Sequence, residues 1–372
     1  MKRIECLDGL RGAAAMWVMF GHVAILTGVG IPLLSTPDYA VDLFMLLSGF
    51  LMVFHHGADD WSRFETTGRF WTKRIFRIAP LYYVLLAAAL ILAPTLGEMR
   101  ATIIAATEGG GTVDARYSDQ SLTNILMHVS FLFGALPEYA YRTPLPDWSI
   151  GLEMMFYAFF PVLMLLGNRI GIGVLAIVAT AACWVAVLIF PDFFGAFQQP
   201  AILVLKLNVF LAGMLVARSM QLTGMGRAIH LAIGFVVALA PISSPLGLQS
   251  LAIHAVLFSV FAVLVDHERH WGRGITSHVS RALGSPLARL LGDISYGVYL
   301  LHLLIVIPLA AFAASRIQAD GLRFIVVSAV SGSIVCAVAY MLHLTVERPG
   351  ITAGRTFIAR FFGRLHGRQI TT

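Results

Sequence analysis

The chain has 372 residues, of which 58% are hydrophobic and 12% charged, and its formal net charge is +6. Soluble globular domains are about one quarter charged, so this composition, with a mean hydropathy of +0.81, excludes an ordinary soluble enzyme and indicates a membrane protein. No nucleic-acid-binding motif is present, and excess Lys and Arg is typical of cytoplasmic loops, so we expect no nucleic acid partner. The three cysteines include no C-x-x-C pair, so we expect neither a disulfide framework nor a metal site.

Apolar segments long enough to cross a bilayer recur along the whole chain. A spanning helix needs about 20 apolar residues, because its backbone polar groups must be satisfied internally in the hydrocarbon core. The first segment follows the basic residues Lys2 and Arg3 but lacks a convincing cleavage site, so we expect a retained helix. The pattern predicts an all-α polytopic transmembrane bundle of about ten spans, at residues 10–30, 40–56, 78–96, 148–166, 170–190, 201–218, 228–242, 250–266, 294–314 and 323–344.

The distribution of basic residues predicts the orientation of the bundle. With ten spans and a cytoplasmic N-terminus, most of the 26 Lys and Arg residues fall in cytoplasmic segments, as the positive-inside rule requires. This arrangement leaves residues 97–147 outside and the loops 57–77 and 267–289 inside, with both termini cytoplasmic. The apolar stretch at 121–136 is short for a span, so we expect it to be re-entrant or interfacial.

Ionisable groups inside apolar spans are costly and often functional, and the first span carries two of them. Arg11 and His22 are eleven residues apart, which is about 20° from three full helical turns, so both face the same way about 16 Å apart. On one interpretation Arg11 holds an anionic ligand and His22 performs acid–base chemistry. The alternative is a basic residue that sets topology, together with a buried, hydrogen-bonded His.

The second span opens with Asp42, which is a plausible partner to orient or charge His22 from the neighbouring helix. Ser48 and Gly49 follow in the same span. Gly49 permits close helix packing. Because no G-x-S-x-G elbow surrounds Ser48, we interpret it as a packing residue rather than a nucleophile.

A basic cluster formed by Lys73, Arg74 and Arg77 lies at the predicted cytoplasmic mouth of the third span. Their i, i+3 and i, i+4 spacing would bring the side chains together on a helix. Clustered guanidinium groups suit a polyphosphate such as that of coenzyme A. The alternative is a lipid-headgroup contact or a topology signal.

Two later spans also carry ionisable groups. Glu153 lies about one turn into the fourth span, where a carboxylate must be paired or protonated. This position indicates either a functional residue or a structural salt bridge. His302 lies near the middle of the ninth span, on one stripe with Ser295 and Tyr299.

Six motifs occur in order along the chain and are more specific together than any single residue. They are Leu7–Gly12 followed by His22, Asp42–Leu51, Arg74–Pro80, Trp148–Pro161, Ser295–His302 and Glu347–Pro349. Together they resemble the acyltransferase 3 family, membrane-bound O-acyltransferases that decorate surface polysaccharides and related glycans. Met45 stands where an aromatic residue is usual and Ile150 where Leu is usual, and both are apolar exchanges.

The resemblance implies an acyltransferase domain over residues 1–350, followed by a basic cytoplasmic tail at 351–372, in a bacterial inner membrane. Acyl-coenzyme A, in the simplest case acetyl-coenzyme A, would be the donor, and a hydroxyl of a surface glycan or lipid-linked saccharide the acceptor. His22 would be the catalytic residue with Arg11 as its essential helix partner. The pair Arg74 and Arg77, with Lys73 beside it, would meet the donor.

We expect His22 to act as a general base or to carry the acyl group transiently. Asp42 or Glu153 would orient its imidazole, and His302 is the second mid-membrane imidazole that could serve instead. A transporter or flippase of a lipid-linked saccharide remains an alternative, as does a non-enzymatic export partner. The sequence shows no obvious internal repeat, and this weakens the transporter interpretation, because many transporter folds consist of repeated halves.

Overall fold

A computed structural model describes residues 4, 6–107, 114–242, 247–270 and 275–362, and the regular elements of this part of the chain are all helical. The α-helices are α1 Cys6–Thr27, α2 Asp38–His56, α3 Phe64–Thr107, α4 Asp114–Ser118, α5 Leu122–Val129, α6 Trp148–Ile170, α7 Ile172–Ile189, α8 Pro191–Gly195, α9 Leu203–Ser219, α10 Gly224–Ala238, α11 Leu248–His270, α12 Ile275–Leu283, α13 Pro286–Ala314, α14 Asp320–Leu342 and α15 Arg348–Phe361. A 3₁₀-helical turn occupies Leu132–Ala135, and a π-helical turn, His343–Glu347, joins α14 to α15.

The prediction of an all-α transmembrane bundle is confirmed. Each predicted span overlaps one helix, and eight helices of the described chain are long and apolar enough to cross a membrane. The other two predicted spans correspond to α9, with 17 residues, and α10, with 15 residues. Both are shorter than the roughly 20 residues of a perpendicular span. The chain is an integral membrane protein.

The segment at 121–136 forms no spanning helix. Helix α5 has eight residues and the following 3₁₀ turn has four, which is less than a bilayer requires. The segment folds against α3, where the Tyr83 hydroxyl donates to the Val129 carbonyl at 2.7 Å. The prediction that this stretch does not cross the membrane is therefore consistent with its helix length.

Helix α3 is much longer than the predicted span at 78–96. It has 44 residues and begins at Phe64, so part of the predicted loop at 57–77 is helical. The arginine motif Arg74–Pro80 consequently lies within a helix, with Pro80 inside it. In the predicted loop at 267–289, residues 271–274 lie outside the described part of the chain, and α12 occupies Ile275–Leu283.

The predicted tail at 351–372 is helical where the structure describes it. Helix α15 packs on α3, with the Phe76 and Phe357 rings stacked at a centroid distance of 6.0 Å. Gly354 and Ile358 are its buried residues. Residues 363–372 lie outside the described part of the chain.

Two close helix pairs form the middle of the bundle. Helix α1 packs along α13, and a Cβ added at Gly292 would overlap the Asp8 carbonyl oxygen. Helix α2 packs along α9 in the same way, and a Cβ at Gly49 would overlap the Phe210 carbonyl oxygen. Small residues let helix backbones approach closely in a membrane, so the packing role predicted for Gly49 is confirmed. We call the end of the bundle at which α1 begins the proximal end, and the opposite end the distal end.

Candidate active site

A cavity of about 140 Å³ lies between α1, α2, α3, α6, α9 and α13. Arg11 from α1 and Arg74 and Arg77 from α3 line it, together with Glu153 from α6 and Tyr299 from α13. The structure therefore gathers residues from separate predicted motifs around one space. Lys73, the third member of the predicted basic cluster, is exposed, and the cavity wall includes its two arginine neighbours instead.

The Arg74 guanidinium is held between aromatic rings. Its Cζ lies 5.5 Å from the centroid of Phe70 and 5.5 Å from that of Tyr157. Its Nη2 also lies 3.4 Å from Nε2 of His56. A guanidinium stacked on aromatic faces keeps a fixed orientation, so Arg74 presents its donors to the cavity with little freedom.

The Arg77 guanidinium is held by a carboxylate. Nη1 of Arg77 donates to Oε1 of Glu347, whose side chain is fully buried. The second carboxylate oxygen accepts a hydrogen bond of 3.0 Å from Nδ1 of His343. The sequence placed Glu347 at the end of the last span, but it gave no sign that the residue reaches a motif 270 positions earlier.

The Glu153 carboxylate accepts hydrogen bonds from two hydroxyl groups. Ser48 Oγ donates to its Oε1 at 3.2 Å, and the Tyr157 hydroxyl donates to the same oxygen. Ser48 also lines the cavity. Its interpretation as a packing residue was therefore incomplete, because its hydroxyl serves the carboxylate.

Tyr299 and Ser149 close the cavity towards the distal end, and we call these two side chains the tyrosine–serine layer. The Tyr299 hydroxyl donates to the Pro146 carbonyl at 2.6 Å and lies 2.7 Å from Ser149 Oγ. Phe44 meets the Tyr299 ring edge-on at 5.9 Å between centroids. These contacts fix Tyr299 between the cavity and the residues beyond it.

A pair of histidines lies beyond the tyrosine–serine layer. Nδ1 of His302 donates to the Tyr299 carbonyl at 2.6 Å, and its Nε2 lies 3.2 Å from Nδ1 of His22. Nδ1 of His22 is also 2.9 Å from the Val18 carbonyl. Because a carbonyl only accepts, both Nδ1 atoms carry hydrogen, and Nε2 of a neutral His22 holds the lone pair. His302 is fully buried, and His22 is half-buried.

Asp42 belongs to a different cluster. Its carboxylate lies 2.6 Å from Lys206 Nζ and 3.0 Å from Nε2 of His254. The expectation that Asp42 or Glu153 orients the His22 ring is corrected by these hydrogen bonds, since His302 is the side chain that contacts His22. Helix α1 turns His22 towards α13, whereas Asp42 lies on the face of α2 that meets α9 and α11.

A buried carboxylate supports the loop that leads into α6. Asp147 is 1% exposed, and its Oδ2 accepts from the Tyr82 hydroxyl at 3.1 Å and from Thr143 Oγ1 at 2.9 Å. Burial raises the pKa of the Asp147 carboxyl. The carbonyl of the preceding residue, Pro146, is the one that accepts from Tyr299, so this cluster fixes one side of the tyrosine–serine layer.

Several partners in the site were not predicted from the sequence. The sequence did not reveal that Lys206 and His254 are the partners of Asp42, although both are ionisable residues near the starts of apolar helices. Tyr157 and His343 gave weaker signals, because Tyr and His also occur as ordinary packing residues.

The chain matches an established family model over most of its length. The model of the acyltransferase 3 family, described as "Acyltransferase domain", covers residues 4–342. The chain belongs to the acyltransferase 3 family. No solved structure matches it.

Three curated proteins are similar to parts of the chain. "Protein 2 in picA locus" of Rhizobium radiobacter is 37% identical over 86 residues, which are 23% of this chain. "Putative membrane-bound transacylase BcsY" of Komagataeibacter xylinus is 32% identical over 164 residues, or 43% of this chain. "Acyltransferase MdmB" of Streptomyces mycarofaciens is 30% identical over 168 residues, or 43% of this chain. The chain spans 44%, 37% and 39% of these relatives' own lengths, respectively.

Proposed function

We propose that this protein is a membrane O-acyltransferase of the inner membrane, with its proximal end in the cytoplasm. It moves an acyl group, in the simplest case acetyl, from acyl-coenzyme A to a hydroxyl of a surface glycan or lipid-linked saccharide. The observation that carries the proposal is the arrangement of an arginine-lined cavity and a hydrogen-bonded histidine pair on the two sides of Tyr299. Membership of an acyltransferase family supports the same reaction class.

The arginines provide the binding chemistry for the donor. Arg11, Arg74 and Arg77 line one cavity, and guanidinium groups bind phosphate oxygens through paired N–H donors. Coenzyme A carries a diphosphate and a 3′-phosphate at the end remote from its thiol. With the phosphates at the arginines, the thioester arm extends through the cavity towards the tyrosine–serine layer.

The histidine pair provides the acid–base chemistry. A sugar hydroxyl is a poor nucleophile near neutral pH, so a base must take its proton as the oxygen attacks the thioester carbonyl. Nε2 of His22 takes that proton, the C–O bond forms, and the C–S bond breaks. The imidazolium then returns the proton to the thiolate, which leaves as coenzyme A. His302 holds the His22 ring through its Nδ1 and so keeps Nε2 as the basic atom.

The experiment measures transfer and transport together. Purified protein in proteoliposomes receives acetyl-coenzyme A labelled in the acetyl group on one side, and candidate glycans on the other. We expect release of free coenzyme A and labelled glycan in equal amounts, with the ester located by mass spectrometry. A saccharide that crosses the bilayer without consumption of acetyl-coenzyme A would contradict transferase activity and favour the flippase.

The biological acceptor is identified in a second measurement. Surface glycans from a deletion strain and from the same strain carrying the wild-type gene are compared by mass spectrometry. We expect one acyl substituent to disappear on deletion and to return on complementation. Identical glycans in both strains would exclude a surface glycan as the acceptor.

A further inference from the structure

A relay of hydrogen bonds runs from the cavity to the end of α14. Arg77, which lines the cavity, donates to Oε1 of Glu347. Nδ1 of His343 lies 3.0 Å from Oε2 of Glu347, and Nε of Arg348 donates to Nε2 of His343 at 3.0 Å. Because Arg348 can only donate, Nε2 of His343 must accept, and its proton must lie on Nδ1 facing the carboxylate.

The backbone explains why these side chains meet. Proline has no N–H and its ring collides with the carbonyl four residues earlier in an α-helix. Pro349 follows a π-helical turn, His343–Glu347, and this wider turn accommodates the proline. A π-turn also brings residues five apart onto one face, and His343 and Arg348 bond across that interval. Such turns are rare and often occur at functional sites.

Helix packing fixes the relay against α3. A Cβ added at Gly350 would lie 2.7 Å from Cγ of Pro80, one helical turn beyond Arg77. The backbone of α15 therefore begins in close contact with the helix that carries Arg77. Glu347 itself is 1% exposed, so its charge depends on Arg77 for compensation, and His343 adds a hydrogen bond to the second carboxylate oxygen.

We propose that Glu347 is a positioning residue for the acyl donor: it holds the Arg77 guanidinium at the cavity wall, and the His343–Arg348 pair holds the Glu347 carboxylate. The proposal rests on the proposed donor site, because its effect is exerted through Arg77 on the phosphates of coenzyme A. The Arg77 guanidinium has five N–H donors. Because Glu347 holds this guanidinium through Nη1, the remaining N–H donors are already oriented before coenzyme A binds, and binding then costs no further side-chain entropy at Arg77.

The test is a double-mutant cycle on binding of coenzyme A to the purified full-length protein in detergent. Glu347→Gln keeps the shape and removes the charge, and we expect the Kd to rise about tenfold, the effect of one charge-assisted hydrogen bond. In an Arg77→Ala background the same change should add nothing, because the partner is already gone. Equal affinity of the wild type and Glu347→Gln, or the same loss in both backgrounds, would overturn the positioning role.

A matched control separates positioning from a general loss of stability. Asp320 forms an ion pair with the buried Arg323 at the distal end of α14. Asp320→Asn therefore removes an ion pair at the opposite end of the helix that precedes the Glu347 turn, away from the cavity. We expect its Kd for coenzyme A to equal that of the wild type, and a tenfold rise here would refute a specific role for Glu347. If Glu347→Gln does not give a folded protein, His343→Ala releases one carboxylate oxygen and should raise the Kd roughly threefold. An unchanged Kd in His343→Ala would then refute the relay.

The cycle also separates this inference from the proposed reaction. A wild-type protein that binds coenzyme A with the expected dependence on Glu347, yet transfers no acyl group, would refute the reaction and leave the positioning role intact. A wild-type protein that does not bind coenzyme A would refute both the donor site and the relay.

Discussion

The two ionisable residues of α1 lie at different depths in the bundle and in different surroundings. Arg11 and His22 face α13 together, as their spacing predicts, but only Arg11 lines the cavity, and His22 lies beyond Tyr299 against His302. In the proposed reaction, Arg11 would meet the phosphates of the donor, and His22 would take the proton of the acceptor hydroxyl. This separation assigns different kinetic signatures to the two groups.

The guanidinium fork of Arg77 has a testable role in donor binding. Arg77→Lys keeps the charge but loses the planar set of donors and the geometry of the bond to Glu347. We expect the KM for acyl-coenzyme A to rise about tenfold, with kcat changed less. Initial rates against donor concentration measure both constants.

The exposed neighbour Lys73 is the control for this experiment. Lys73→Ala should leave the donor KM near the wild-type value, because the Lys73 side chain is exposed and its loss should have little effect on the fold. Unchanged donor affinity in both Arg74→Ala and Arg77→Ala would mean that the cluster serves topology or lipid contact only.

His302 should support His22 rather than replace it. Its Nε2 meets Nδ1 of His22, so His302→Ala removes the contact that orients the ring while leaving the base in place. We expect kcat to fall roughly 10–100-fold, the usual range for a group that orients a functional ligand, with an unchanged donor KM. A loss equal to or greater than that of His22→Ala would make His302 the base.

At the scale of elements, the sequence predicts the helices well and their contacts poorly. Long apolar runs specify where α1, α2 and α13 lie, because the bilayer requires such runs. The predicted start of α3 was wrong, because the first turns of the helix carry polar residues and lie in the segment that was predicted to be a loop. Which face of α2 contacts α9 depends on which small residues pack at the interface between the two helices. The spacing of residues along the sequence therefore could not predict that Asp42 pairs with Lys206 and His254.

The close contact between α1 and α13 positions the two histidines. Gly292→Ala places a methyl group on the Asp8 carbonyl oxygen, so the helices must move apart and separate His22 from His302. Overpacking of this kind costs about 1–3 kcal/mol. We expect a lower Tm of the purified protein and a reduced transfer rate.

A glycine in open space provides the comparison. A Cβ at Gly321, in the first turn of α14, meets nothing within 4 Å, so Gly321→Ala should leave both Tm and rate at or slightly above the wild-type values. If Gly292→Ala is equally harmless, the α1–α13 contact does not set the geometry of the histidine pair.

For the whole molecule, the central prediction from charge is the orientation in the membrane. Single cysteines at the exposed positions Ser62, Gln120 and Ala282 test it in a background without Cys6, Cys183 and Cys336. In intact cells, an impermeant thiol reagent should label Gln120→Cys but not Ser62→Cys or Ala282→Cys. Labelling at position 282 without labelling at 120 would contradict the ten-span topology.

The sequence predicted individual residues of the site but not how they are arranged around the cavity. The sequence indicated Arg11, His22, Glu153 and His302 in advance, because each is an ionisable group in an apolar span. It indicated Arg74 and Arg77 because their guanidinium groups cluster at helical spacing. The sequence could not reveal that the arginines share a cavity with Tyr299 as its distal wall, since that arrangement depends on how six helices pack. The relay through Glu347 depends on a π-turn, which no hydrophobic pattern specifies.

The most direct test of the account is His22→Ala, with His230→Ala as its matched control. His230 also lies in an apolar helix and bonds through Nδ1 to the carbonyl four residues earlier, at 2.8 Å, so its loss reproduces the structural change without touching the site. Both variants are expressed at matched membrane levels in the deletion strain, and glycan acylation is measured by mass spectrometry. We predict that acylation falls by roughly 10²–10⁴-fold or more in His22→Ala and stays at the wild-type level in His230→Ala. Acylation near the wild-type level in His22→Ala would contradict the assignment of His22 as the base.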